Sequence, residues 1–109
     1  MSKVIDISAK IDNEPVFLHI AEGIPAIKVD DSKNTVLKIM ALWDNPGMAE
    51  IEKLDETIKL ALGKEAFKTI DSKNYSMSNY KKIVMAVMAA VTGEEVEEFE
   101  ARFQESTAN

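Results

Sequence analysis

The stretch that decides the fold runs from Asn79 to Gly93 and reads Asn-Tyr-Lys-Lys-Ile-Val-Met-Ala-Val-Met-Ala-Ala-Val-Thr-Gly. Its large apolar residues recur at the spacing of one broad helix face: Tyr80, Ile83, Val84, Val87, Met88 and Val91. Met85 and the alanines widen that face, so the helix is apolar on nearly all sides. Ser78 is predicted to cap its start and Gly93 to end it. The apolar run from Ile83 to Val91 is too short for a bilayer, which needs about 20 residues. We interpret it as a core helix.

Residues 3–29 are predicted to form a three-stranded antiparallel meander. The first strand would alternate polar residues with four apolar ones: Ile5, Ile7, Ala9 and Ile11. After a turn at residues 12–15, the second strand would place Val16, Leu18 and Ile20 on one face and Phe17 and His19 on the other. A turn at Glu22–Gly23 would lead to a short third strand with Ile27 and Val29. Such a small sheet needs other elements to cover its apolar face.

The pattern becomes helical after Asp30. Ser32 is a candidate cap for the first helix, and Thr92 with Glu95 matches a capping box for the last. Helices are predicted over residues of about 33–43, 48–62, 78–92 and 93–105, with a further short turn of helix at Glu65–Ile70. The prediction is therefore one α+β domain over residues 1–105, with a three-stranded antiparallel meander followed by a bundle of about four helices. Residues 106–109 are expected to fray.

The composition is that of an ordinary globular chain. Its 109 residues are 46% hydrophobic and 29% charged. There is no cysteine, which excludes disulfides and thiolate zinc sites and fits a cytoplasmic protein. The first residues lack the long apolar segment of a signal peptide.

Negative charge is concentrated at the C-terminal end. The net charge is −6, and residues 94–109 contribute six acidic residues and one arginine, a balance of −5. Residues 1–93 hold thirteen acidic and twelve basic residues, a balance of −1. Since nucleic acid binding relies on clustered lysine and arginine, a nucleic acid partner is not expected. No membrane partner is expected either, whereas a protein partner is.

The residues that could carry chemistry are sparse. His19 is the single histidine, and it has no second histidine or cysteine to build a zinc site. The glutamates after Gly93 lack calcium-loop spacing and are explained by a solvated helix start. No glycine-rich phosphate loop is present. We therefore expect no enzyme activity, no cofactor and no metal.

Two sets of residues are candidates for partner binding. The first lies on the predicted C-terminal helix: Glu95, Glu98, Phe99 and Phe103. Either this helix docks on its own domain, or it presents its aromatics to another chain. The second and weaker candidate is Met40 with Trp43, whose helical spacing is also explained by a place in the core.

Three segments resemble one known family. They are residues 3–11, residues 32–39, and residues 83–93 with the Glu-Glu-Val-Glu-Glu-Phe that follows. Together they are similar to the tail assembly chaperones of long-tailed phages and prophages of Gram-positive bacteria. The resemblance implies a small acidic protein of the host cytoplasm, absent from the mature virion. It also implies binding to the tape-measure protein, assistance to polymerising tail-tube protein, and no catalytic residues.

The leading hypothesis is thus a non-enzymatic chaperone that covers apolar helix on a partner. A second is a self-associating structural component of a tail or connector, in which an edge strand near residues 3–11 pairs with a neighbouring copy. A third is a DNA mimic, although that would need carboxylates spread over a whole face rather than gathered at one end.

Overall fold

The computed structural model describes residues 2–95, 98 and 101. Two strands and four helices occur in these residues: β1 (Val16–Leu18), β2 (Ile27–Val29), α1 (Lys33–Trp43), α2 (Glu50–Leu62), α3 (Lys64–Ser72) and α4 (Met77–Thr92). The predicted α+β class is confirmed. None of the helices in the described part has the length and hydropathy that a membrane span requires.

Helix α2 is the centre of the packing. It contacts α1, α3, α4 and β2, whereas α4 contacts α2 and the two strands. Thr57 and Ile58 on α2 have no exposed surface, and Leu54, Ala61 and Leu62 are also buried. From α4, Val84 and Val87 complete this core. The most apolar helix of the sequence is therefore one wall of the core, and α2 is its middle.

Local sequence signals fix where the helices begin and end. Ser32 caps α1 as predicted, because its hydroxyl accepts a hydrogen bond from the Thr35 amide at 3.4 Å. Helix α4 starts earlier than expected, since Ser76 rather than Ser78 accepts from the Asn79 amide. Gly63 separates α2 from α3 at a φ of 95°, a conformation that disfavours any residue with a Cβ.

The two strands form a small antiparallel sheet over the core. Val16 pairs with Val29, and Leu18 pairs with Ile27. These four side chains pack against the core, while Phe17 and Lys28 point outward and are exposed. The predicted faces of β1 are confirmed, with Val16 and Leu18 facing the core and Phe17 facing outward.

The predicted first strand is wrong. Residues 3–11, all within the described chain, contain a short 3-10 turn at Ser8–Lys10 and no strand. The Asp6 carboxylate accepts a hydrogen bond from the Ser8 amide at 2.9 Å, and the Lys10 amide donates to the Ile7 carbonyl at 2.8 Å. These local bonds satisfy backbone groups that a strand would offer to a neighbour. The meander therefore has two strands rather than three.

The C-terminal end differs from its prediction where it is described. Thr92 is the last residue of α4, and its hydroxyl donates to the Met88 and Ala89 carbonyls behind it, so it does not open a new helix. Glu98 and Ala101 are helical. The rest of the predicted helix at 93–105, from residue 96 onward, and the predicted frayed tail at 106–109 lie outside the described residues.

A polar contact joins α2 to α4 through two residues that are far apart in sequence. The Tyr80 hydroxyl donates to the Asp55 carboxylate at 2.5 Å. Burial, and then the neighbouring Asp55 carboxylate, raise the pKa of the Tyr80 phenol well above its usual value. On α2 itself, Lys59 lies four residues after Asp55, but its ammonium group pairs with Glu56 at 3.2 Å.

Replacing Ile58 by alanine should destabilise the protein by about 2–5 kcal/mol, because a fully buried side chain leaves a cavity at the meeting point of the elements. Urea denaturation followed by circular dichroism measures the free energy of unfolding. Ile51→Ala on the same helix is the control: Ile51 is 43% exposed, and about 1 kcal/mol or less is expected. Equal losses in the two variants would contradict α2 as the buried centre.

The Tyr80 contact should make stability fall at alkaline pH. Because the folded-state pKa is raised, the stabilisation is fully present below the ordinary tyrosine pKa of about 10 and is lost as pH rises through the folded-state value. Urea denaturation measures the free energy of unfolding, which should fall less between about pH 9 and about pH 11 for Tyr80→Phe than for the wild type. Tyr75→Phe, which keeps Tyr80, should follow the wild type. Parallel curves for all three proteins would refute the assignment.

Candidate functional site

An apolar groove of about 240 Å³ lies where α1, α2 and α4 meet. We call it the methionine groove. It is lined by Trp43 from α1, Glu50 and Leu54 from α2, and Lys81, Val84, Met85 and Met88 from α4. Helical spacing on α4 brings its four lining residues onto one side, since positions three and four apart are neighbours on a helix. The floor is apolar, and the two charged residues stand at one end.

Trp43 forms a wall of the groove and is held from two directions by α2. Its indole Nε1 donates to the Thr57 Oγ1 at 3.0 Å, and its backbone carbonyl accepts from the Lys53 Nζ at 3.1 Å. The Thr57 hydroxyl in turn donates to the Lys53 carbonyl at 2.7 Å. With both ends of the tryptophan fixed, the wall is preformed, so a ligand would not need to order it.

An ion pair closes one end of the methionine groove. Lys81 Nζ lies 3.4 Å from Glu50 Oε1, and both side chains are substantially exposed. Pairs of this kind contribute about 0.2–1 kcal/mol, so a ligand can displace this one at little cost. On the other side of the pair, Ile51 and Met77 are exposed and line a second cavity of about 210 Å³. The apolar surface therefore continues past the ion pair.

The residues predicted to bind a partner fall in different places. Trp43 lies in the methionine groove and also packs against the core, whereas Met40 is exposed on α1 outside the described lining. Glu95 and Glu98 are exposed beyond α4. Phe99 and Phe103 lie outside the described residues. The predicted set is thus not gathered into one described site.

The sequence did not predict that residues of α1, α2 and α4 come together to form the groove. Met85 was visible as a residue that widens the apolar face of α4, and such width beyond a single stripe is the signal for a second contact surface. Leu54 and Val84 read as core residues, and both are buried. Their position under a groove depends on how α2 and α4 cross, which a single sequence does not specify.

Another cavity, of about 830 Å³, is an open acidic groove between β2 and the end of α2. Asp12, Glu14, Asp30 and Asp31 are among its lining residues. The Asp30 carboxylate is already engaged, because it accepts from the Thr35 hydroxyl at 2.6 Å and the Ser32 amide at 3.1 Å, and these bonds lower its pKa. This carboxylate organises the start of α1, which explains its presence structurally.

In the described part of the chain, no group of three or more histidine, aspartate or glutamate side chains is placed to hold a metal ion. His19 is exposed just after β1. The methionine groove combines a concave shape with a mostly apolar lining, which makes it a candidate binding site.

The chain has no match in any of three comparisons: no protein-family model, no curated protein and no solved structure corresponds to it. The resemblance to phage tail assembly chaperones stays a prediction.

Replacing Thr57 by valine should release the tryptophan wall. Valine keeps the volume but removes the acceptor of the indole N–H, and stability should fall by about 1–3 kcal/mol. Because Trp43 is the single tryptophan, its fluorescence emission reports the change directly and should shift to longer wavelength. Thr57→Ser, which retains the hydroxyl, should keep the wild-type emission. An unchanged spectrum in the valine variant would show that the bond does not position Trp43.

Proposed function

We propose that this protein is a non-enzymatic tail assembly chaperone that binds the tape-measure protein of a long-tailed phage or prophage. The observation that supports this best is the methionine groove, an apolar and partly preformed surface on an acidic domain. Methionine is favoured where a surface must accommodate more than one apolar sequence, because its side chain is flexible and polarisable. Met85 and Met88 give the groove that property.

The groove suits the side chains of a helix. At about 240 Å³ it is smaller than the roughly 300–1,000 Å³ of small-molecule pockets. An amphipathic helix needs only a shallow apolar trough for side chains at positions i, i+3, i+4 and i+7. The continuation past the Glu50–Lys81 pair toward Ile51 and Met77 lengthens that trough. A tape-measure protein is a long helix-rich chain, so it offers such faces repeatedly.

The charge of the protein supports the same role. A chaperone that covers apolar surface must keep the complex soluble, and a net charge of −6 on 109 residues opposes association between complexes. In this proposal the protein acts in the host cytoplasm, helps tail-tube subunits assemble around the tape measure, and is absent from the mature virion. It requires no cofactor.

A second surface for the same partner is the C-terminal segment. Glu95 and Glu98 are exposed there, and in the sequence Phe99 and Phe103 share one predicted helical stripe, separate from these glutamates. The segment offers aromatics flanked by carboxylates, which would suit a helix with a basic flank. The methionine groove and the C-terminal segment can be tested separately.

The decisive variant is Met85→Glu. Met85 is half-buried, lines the groove and is not part of the core cluster, so the charge should block an apolar partner and leave the fold intact. Co-expression with the tape-measure protein from the same genome, followed by affinity capture, should show at least tenfold less complex. Leu37→Glu is the matched control, because Leu37 is a 53% exposed apolar residue on α1 outside the groove.

Truncation after Gly93 tests the other surface. If the truncated chain binds and Met85→Glu does not, the groove is the site; the reverse result assigns binding to the C-terminal segment. Circular dichroism and urea denaturation establish that each variant is folded. Failure of the intact wild-type protein to capture or solubilise the tape-measure protein would refute the chaperone proposal itself.

The alternative function is a self-associating structural component of a tail or connector. The exposed apolar residues near the N-terminus favour it, since they offer a surface to another copy. Abundance distinguishes the two functions: a structural component is present in purified particles at stoichiometric levels, and a chaperone is not.

A further inference from the structure

The N-terminal arm, defined as residues 3–11, exposes apolar side chains that the fold does not use. Val4, Ile5, Ile7 and Ile11 are between 52% and 88% exposed. All four are β-branched and favour strands. The Ser8 and Lys10 amides donate hydrogen bonds to acceptors within the arm itself. The arm thus has the composition of a strand without a neighbour.

The sequence of the arm is complementary to itself in the antiparallel sense. If two arms pair about Ser8, residue numbers that face each other sum to 16. Asp6 of each copy then lies opposite Lys10 of the other, and Ile5 lies opposite Ile11. Ile7 faces Ala9, so the odd-numbered apolar residues form one continuous stripe. The charged residues lie on the other face, where Val4 is opposite Asp12.

In other registers the opposite charges no longer face each other, or the apolar residues no longer share one face. Shifting by two residues in one direction places Asp6 opposite Asp12, and shifting in the other places Lys10 opposite Val4. A shift by one residue would turn the apolar residues of one arm to the charged face of the other. Parallel pairing in register would bring identical charges together. Among these arrangements, only pairing about Ser8 keeps both Asp6–Lys10 pairs and a single apolar face.

We propose that the N-terminal arms of two copies of this protein pair as an antiparallel ribbon centred on Ser8, and so form a homodimer. The partner is a second copy because the complementarity belongs to the arm itself and closes under two-fold symmetry. The Asp6–Ser8 and Ile7–Lys10 local bonds give way to hydrogen bonds between copies. The inference does not depend on the proposed chaperone function, since the arm contributes nothing to the methionine groove.

Charge reversal tests the register. The register contains two cross-strand pairs, residue 6 of each copy with residue 10 of the other. In Asp6→Lys both pairs become lysine opposite lysine, and in Lys10→Asp both become aspartate opposite aspartate. The dissociation constant of the dimer should rise about tenfold in each single variant. The double variant Asp6→Lys/Lys10→Asp should restore the wild-type value. Sedimentation equilibrium over a concentration series of the full chain measures all four proteins.

The matched set makes every result informative. A wild type that stays monomeric at millimolar concentration, or single variants that dimerise like the wild type, would overturn the proposal. Weakened single variants without rescue in the double variant would overturn the register. Circular dichroism spectra of the four proteins should agree, because residues 6 and 10 are exposed and lie outside the core cluster.

A cysteine on the two-fold axis gives an independent readout. The chain has no cysteine of its own, so Ser8→Cys introduces the sole thiol. Two copies paired about residue 8 bring these thiols directly opposite, within disulfide reach, and oxidation should yield a covalent dimer. In Ala9→Cys the two thiols are diagonal, about 7–8 Å apart, and should couple much less. Equal cross-linking of the two variants would contradict pairing about Ser8.

Discussion

The structure depends on the burial of one turn of α2. Thr57 and Ile58 lie side by side in the chain and are both fully enclosed, but they face different neighbours. Ile58 belongs to the apolar core that α2 shares with α4 and β2, and Thr57 turns its hydroxyl to the indole of Trp43. A buried hydroxyl must be hydrogen-bonded to be tolerated, and this one both donates and accepts. The same turn therefore sets the core and fixes the wall of the methionine groove.

Much of the architecture could be predicted where a local rule governs it. The position of α1 follows from Ser32 and the apolar stripe behind it, and the faces of β1 follow from alternation. The N-terminal arm alternates equally well, yet it forms no strand. Alternation states which side chains would share a face, but a strand also needs a neighbour to accept its backbone hydrogen bonds. Where the described part of the chain provides no such neighbour, the alternation alone is misleading.

The groove could be predicted only in part, for a related reason. Trp43 and Met85 are recognisable as apolar residues in excess of a single helix stripe. Their joint position depends on contacts between residues far apart in sequence, such as Trp43 with Thr57 and Tyr80 with Asp55. Before the fold is known, Asp55 looks like a helix-surface partner of Lys59, and nothing local distinguishes that pairing from its actual one. Long-range polar contacts of this kind cannot be predicted from a single sequence.

The methionines of the groove also make this surface sensitive to oxidants. With no thiol in the chain, thioether sulfur is the softest site for attack by peroxide, and the half-buried Met85 and Met88 are within reach of solvent. Conversion to the sulfoxide would place a strong dipole in an otherwise apolar trough. Among the described residues, the buried hydrophobic core is built from isoleucine, valine, leucine and alanine, none of which carries sulfur. Oxidation of Met85, which lines the trough and lies outside the core cluster, would therefore make the trough polar without placing a polar group in the core.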